Sequence, residues 1–317
     1  MILTWLAASL TPYPPAPPCS AQKRQEAMQL SDEALRLDCS LILETGENIP
    51  RPILIEGASG RGVGVNCRGG SIGRRDLSVS TTRPTVAIRS RKAADLTWER
   101  PHTLGIRNCT VWGNIRIFGI GGDGEYDDLR RSSRLPDHTA RAQAAAPTRI
   151  WLENLTLTGR GSIPLYVGTG VTEVSLTDST LNGTSTATAI YLDAESGRIG
   201  IRNNRILTRT GRELIAVDGS ANNQITGNRF DLHGKPGIYL YRNCGERGVI
   251  RHQTPSHNTI TGNSFTGASW LRPRLVVENA RSGRRSYCRD DAGYPFGSSV
   301  DDRDNATANT IQNNRRN

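Results

Sequence analysis

Carboxylates and tyrosines fall at matching places in a set of apolar triplets along the second half of this chain. Directly after the triplets stand Gly168, Asp193, Asp218, Tyr241 and Glu278, and one pair earlier stand Arg116, Tyr166, Tyr191 and Tyr239. If the triplets are strands, alternation turns both sets to one outer face while Ile190, Leu192, Ile215, Val217, Ile238 and Leu240 point inward. Tyrosines beside acids suit sugar rings, whose C–H faces pack on aromatics while their hydroxyls bond to carboxylates. Asp193 and Asp218 would lie about 4.8 Å apart on neighbouring strands, where like charges raise one pKa unless a cation or an arginine intervenes. Asp218 and Glu278, two strands apart, would be roughly 10 Å apart, near the upper end of inverting-glycosidase spacing. Asp193 with Asp218 is also a candidate Ca²⁺ pair. Any single one of these acids would more ordinarily cap a turn or pair with arginine.

A second group of reactive residues lies in the segment 242–257. His252 is a candidate proton carrier, and Arg242 and Arg251 are candidates for neutralising a substrate carboxylate. Lys235 and Tyr241 are further candidate bases. The acid-rich 287–304 region mixes in arginine and lacks EF-hand spacing, so Asp–Arg pairing is expected there.

What must position these residues is a repeat. An aliphatic triplet, a small loop and a version of Ile-Thr-Gly-Asn-x-Phe recur, with followers at 201–206, 225–230 and 260–265 and a remnant at 311–314. From Leu165 to Ile190 is 25 residues, from Ile190 to Ile215 is 25 and from Ile215 to Ile238 is 23. Such units cannot bury an apolar face alone and must stack. The expected fold is all-β: a right-handed parallel β-helix, a single-stranded β-solenoid, with long loops on one face and a short amino-terminal cap. Asn204, Asn228, Asn263 and Asn314 share a slot, preceded there by Ser179 and Cys109, and should form an amide ladder up the axis; Asn223, Asn258 and Asn309 suggest a second. Three insertions, at about 119–148, 242–257 and 279–307, leave the same strand edge. They should wall a groove suited to a polymer chain.

The chain has 317 residues with 33 Gly and two Met, and no composition shift marks a second domain. Residues 1–22 read as a short leader and 23–317 as one β-helix, with helix formers over 23–38 capping its open end. The leader is too short to span a membrane, and export, secreted or periplasmic, is expected. The charge of +10 comes from arginine, since Lys23, Lys92 and Lys235 are the only lysines. Arginine forks favour an anionic partner; scattered basic residues without a recognition module disfavour nucleic acid. With a leader removed, Cys39–Cys67 and Cys244–Cys288 are the expected disulfides, leaving Cys109 free and buried. The monomer and the trimer stay open.

The coils, the Asn ladder and the opening Val65-Asn66-Cys67-Arg68-Gly69-Gly70-Ser71-Ile72 resemble β-helix repeat proteins of the pectate-lyase-like superfamily over nearly the whole chain. The resemblance implies secreted enzymes acting on acidic polysaccharides: lyases, polygalacturonase-type hydrolases and uronate epimerases. Neither the Arg-x-Pro-x-x-Arg pattern of pectate lyases nor the Asp-Pro-His-Asp pattern of alginate epimerases occurs, and Asp231-Leu232-His233-Gly234 is a distant echo of the latter. The expected activity is β-elimination on a uronate polysaccharide. Arg242 or Arg251, with Ca²⁺ at Asp193 and Asp218, would neutralise the carboxylate. His252, Lys235 or Tyr241 would take the α-proton, and a tyrosine would protonate the leaving oxygen. Arg116, Tyr166, Tyr191 and Tyr239 would bind sugar. The alternatives are an inverting hydrolase using Asp193, Asp218 and Glu278, an epimerase, or a non-catalytic glycan-binding solenoid.

Overall fold

The computed structural model describes residues 16–121, 126–245, 248–267, 273–281 and 305–317. Their β-branched and leucine residues alternate inward at strand spacing, and the chain winds them into three parallel sheets of nine strands each. The first sheet carries Leu35–Arg36, Ile53–Glu56, Val86–Arg89, Ile115–Phe118, Leu165–Val167, Ile190–Leu192, Ile215–Asp218, Ile238–Tyr241 and Val276–Val277. Strand neighbours in this sheet are consecutive coils, not consecutive strands in sequence, as stacking of repeats requires. One continuous apolar core runs through the helix from Ala27 to Phe265.

The register matches the repeat. Leu165, Ile190, Ile215 and Ile238 are direct partners in successive strands. Asn204, Asn228 and Asn263 each donate from Nδ2 to the Oδ1 of the next asparagine at 2.9–3.0 Å, ending on Asn314. The second ladder, Asn223 to Asn258 to Asn309, has bonds of 2.8 and 3.1 Å. Each rung also needs a left-handed residue just before the ladder position. Asn154, Asp178, Asn203 and Asn313 supply it with φ of 50–60°, and Gly227 and Gly262 with φ of 69° and 66°. These residue types tolerate that region best, which explains the recurring Gly-Asn and Asn-Asn pairs.

The amino-terminal end departs from expectation. Helix α1, Ala21–Ala27, capped by Ser20, does cover the open end, but Leu35–Arg36 is already the first strand. Residues 16–22, assigned above to the leader, belong to the fold: Pro18 bridges to Ser40, and the Ala16 amide donates to the Gly62 carbonyl. The disulfides follow from this. Cys19 pairs with Cys39, and Cys67 with Cys109. Cys109 sits in the ladder slot as expected, yet it is bonded, because Cys67 lies one coil below it rather than beside Cys39. Cys244 is also disulfide-bonded, and its expected partner Cys288 lies outside the described residues. Disulfides of this density belong to a chain folded in an oxidising compartment. No helix among the described residues is long and apolar enough to cross a membrane.

Candidate functional site

On the outer face of the first sheet, Arg116, Tyr166, Tyr191, Ala216 and Tyr239 are register partners in that order. Tyr166 and Tyr191 stack at 5.7 Å between ring centres, and the Arg116 guanidinium lies 4.1 Å over the Tyr166 ring. Each tyrosine hydroxyl reaches the acid of the next coil: Tyr166 donates to Asp193, and Tyr191 to Asp218. Strand spacing thus turns an alternating Tyr/Asp sequence into interlocked pairs.

The two acids differ in environment. Asp193 Oδ1 accepts from Arg251 Nη1 and from the Ala194 amide, both at 2.8 Å. Burial works to raise its pKa, but the Arg251 charge and the Tyr166 and Arg251 hydrogen bonds hold it below the ordinary carboxylate value. Asp218 is 0% exposed and accepts from the Asn243 amide at 2.6 Å. Burial raises it despite the Arg251 charge, and Asp193 adds to the rise. The same burial, reinforced by the adjacent carboxylates, lifts the Tyr166 and Tyr191 hydroxyls well above their usual range. Arg251 is held protonated by both acids although its burial opposes this.

The first two insertions close over this face. In the first insertion the described residues form helices α2, Tyr126–Ser133, and α3, His138–Ala145, and its Ile120, Leu129, Ala142 and Ala145 pack with Val249 of the second insertion. Glu195, buried and left-handed at φ 60°, ties the pieces together. Its carboxylate accepts from the His252 amide at 2.8 Å, from the Gln253 amide and from the Thr139 hydroxyl. Instead of an open groove, the walls leave a pocket of about 160 Å³, lined by Arg116, Phe118, Tyr166, Asp193, Glu195, Arg251, His138 and Leu129 among others. A cavity of about 150 Å³ holds benzene, so this pocket takes the body of one six-membered ring, and the substituents of a larger ring project through its open side.

Arg116 and His138 give the pocket its chemistry. Arg116 is 9% exposed, and its Nε and Nη1 make no hydrogen bond. Burial lowers its pKa, with Tyr166 and Asp193 opposing, but an arginine keeps its charge. His138 is 1% exposed, and its Nδ1 lies 3.0 Å from Ser132 Oγ. Burial first, then the His252 and Arg251 charges, lower its pKa to about 3, so the ring is neutral. Neither His138 nor Glu195 was singled out by sequence. The signal for His138 was faint: it is the single histidine of the first insertion.

Several expected site residues lie elsewhere. His252 turns away from the pocket, with Nε2 2.6 Å from the Ser133 carbonyl and its ring edge-on to His138 at 4.9 Å. Arg242 braces its own loop by donating to the His252 carbonyl. Tyr241 is buried under Arg281; its hydroxyl accepts from Arg212 at 2.7 Å and donates to Glu213 at 3.0 Å, so it is no free base. Lys235 sits in the turn before Ile238–Tyr241, at the opposite strand end from Asp218, with its amide bonded to Leu232. Tyr239 is separated from the stacked pair by Ala216. Glu278 leaves the acid column because Ile238 pairs with Val276, not with Leu275. That one-residue slip reverses its facing, and it is exposed and bonded to Asn309. The third insertion lies largely outside the described residues. For Ca²⁺ the fit is poor: Asp193 and Asp218 already bind tyrosine hydroxyls and Arg251, whereas the ion takes six to eight oxygens. Among the described residues no group of three or more His, Cys, Asp or Glu could hold a metal.

Residues 99–314 match the family described as right handed beta helix region. The chain belongs to that family. Among solved structures, this right-handed β-helix is similar to the Streptococcus pneumoniae surface protein and adhesin PfbA, at 10% identity over 87% of this chain and 77% of that one, with a TM-score of 0.38. No curated protein matches the sequence.

Proposed function

We propose that this β-helix is a secreted carbohydrate-active protein that takes one uronate ring of an acidic polysaccharide into the pocket and cleaves the chain by β-elimination. The observation that carries the reading is Arg116: a buried guanidinium with two unsatisfied nitrogens, over a tyrosine face, in a pocket of one-ring size. A carboxylate supplies the acceptors that the protein withholds, and pairing with arginine acidifies the α-proton of a uronate. His138 is the base the pocket offers. In the tautomer whose Nδ1–H donates to Ser132 Oγ, 3.0 Å away, Nε2 carries the lone pair. The proton leaves carbon 5 for Nε2, its electron pair forms the C4–C5 double bond, and the bond from carbon 4 to the glycosidic oxygen breaks. Tyr166, kept protonated by burial beside Asp193, gives its proton to that oxygen. Hydrolysis by the carboxylates is less well supported, since both acids are hydrogen-bonded on each oxygen and Glu278 is out of register.

The test is ultraviolet absorbance of unsaturated uronate ends across a panel of acidic polysaccharides. A rise is expected, reduced about 10²–10⁴-fold in His138→Gln. Arg116→Met should abolish turnover while keeping or raising thermal stability, because it removes an unpaired buried charge. New reducing ends without absorbance would replace elimination by hydrolysis. Binding without either product would leave a non-catalytic glycan-binding solenoid.

A further inference from the structure

The outer face of the first sheet is open on one side of the pocket and shut on the other. Toward the carboxyl end, Ala216, Asp218 and Tyr241 are all 0% exposed, with Arg281 stacked 4.1 Å over the Tyr241 ring and Arg251 drawn across to Asp193. Helices α2 and α3, fastened to the coil through Glu195, form the lid above. Toward the amino end the same strand positions continue from Arg116 to Ala87 and Leu54. There a second cavity of about 410 Å³ opens, floored by Leu54, Ala87, Pro52 and Pro84; its rim is mixed in charge, with Asp32, itself bonded to Arg74, and Glu33 facing Arg83 and an Arg89 that is ion-paired with Glu56. Phe118 lines both cavities and is the partition between them. A ring in the first cavity can therefore be continued in one direction only.

We infer that the protein recognises the reducing end of a chain: the terminal ring, which still carries its neighbour on the C4 oxygen, occupies the pocket at Arg116 and the next units run over Phe118 across the Leu54–Ala87 floor. The apolar floor suits the C–H faces of sugar rings, Arg83 suits a carboxylate, and the rim acids suit hydroxyls. Rungs about 4.8 Å apart place this floor one to two coils, about 5–10 Å, from Arg116, within reach of the neighbouring sugar units. The inference rests on the proposed uronate reading of the pocket, and it fixes the mode of attack as stepwise removal from the end.

The experiment uses the intact protein with polyuronates of one short and one long defined length. Where the polymer is cleaved, products are sized while viscosity is followed; where it is bound intact, protein molecules per chain are counted by sedimentation. Small products of one size with viscosity retained, or one protein per chain end at both lengths, is the expected result. A broad product ladder with early viscosity loss, or occupancy that rises with chain length, would overturn the inference and leave the uronate reading standing. No binding and no cleavage would overturn both. Ala87→Trp, which fills the second cavity, should weaken an oligouronate by about tenfold or more and leave a single uronic acid unaffected; equal weakening of both would count against the shared path.

Discussion

Replacing Arg251 by methionine probes the electrostatics of the site most directly. Arg251 lies 2.8 Å from Asp193, and the two side chains are only 14% and 10% exposed. At an effective dielectric of about 20 their attraction is about 6 kcal/mol before desolvation, and removing one partner of such a buried pair costs about 3–5 kcal/mol net. At about 2 °C per kcal/mol for a chain of this length, the midpoint should fall by about 6–10 °C at pH 7. The loss should depend on pH. Asp193 in the native protein is held below its ordinary pKa, so it contributes stability above about pH 4 that is lost as pH falls through its folded value. Without Arg251 burial raises that carboxyl instead, and the charged form becomes a cost above about pH 4. The gap between wild type and Arg251→Met should therefore be widest near pH 7 and narrow toward pH 4. Urea and thermal unfolding at pH 7, 5.5 and 4.5 read this, with Asp193→Asn combined with Arg251→Met recovering much of the loss. A gap that is constant with pH, or a double variant no better than the single, would refute the reasoning.

Two further expectations follow from buried polar groups. Asn228→Ala removes a side chain that bonds the Ile201 carbonyl, the Asn263 amide oxygen and both nitrogens of Asn204, and orphans those buried partners. A loss of about 3–5 kcal/mol is expected in urea unfolding, and a loss under 1 kcal/mol would show the ladder to be ornamental. His138, with its pKa lowered to about 3, resists protonation in the folded state, so stability should fall as pH drops below about 6.5, by up to about 1.4 kcal/mol per unit. His138→Gln should flatten that slope between pH 6.5 and 4; an unchanged slope would place the titration elsewhere.

The legibility of this protein divides by the range of the interaction. Repeat spacing dictated the coils because a period-two apolar pattern with a left-handed Asn or Gly before each buried Asn has one low-energy solution, stacking. Arg116, Tyr166, Tyr191, Asp193 and Asp218 were placed on one face from sequence because side-chain facing within a regular strand is a local property. Glu278 and the pairing of Cys39 and Cys67 were misplaced because register across a long insertion, or at the first coil, is set by backbone pairing with a distant strand. Ile238 pairing with Val276, and Pro18 with Ser40, leave no mark at short range.

The sequence by itself determined the fold, the ladders and the acid–tyrosine column. Only the tertiary structure decided that two insertions meet through Val249 and Glu195 and turn a face into a pocket, that His138 rather than His252 lines it, and that Arg116 Nε and Nη1 are left without a hydrogen bond there. Those outcomes depend on burial, and burial depends on how segments more than fifty residues apart pack together.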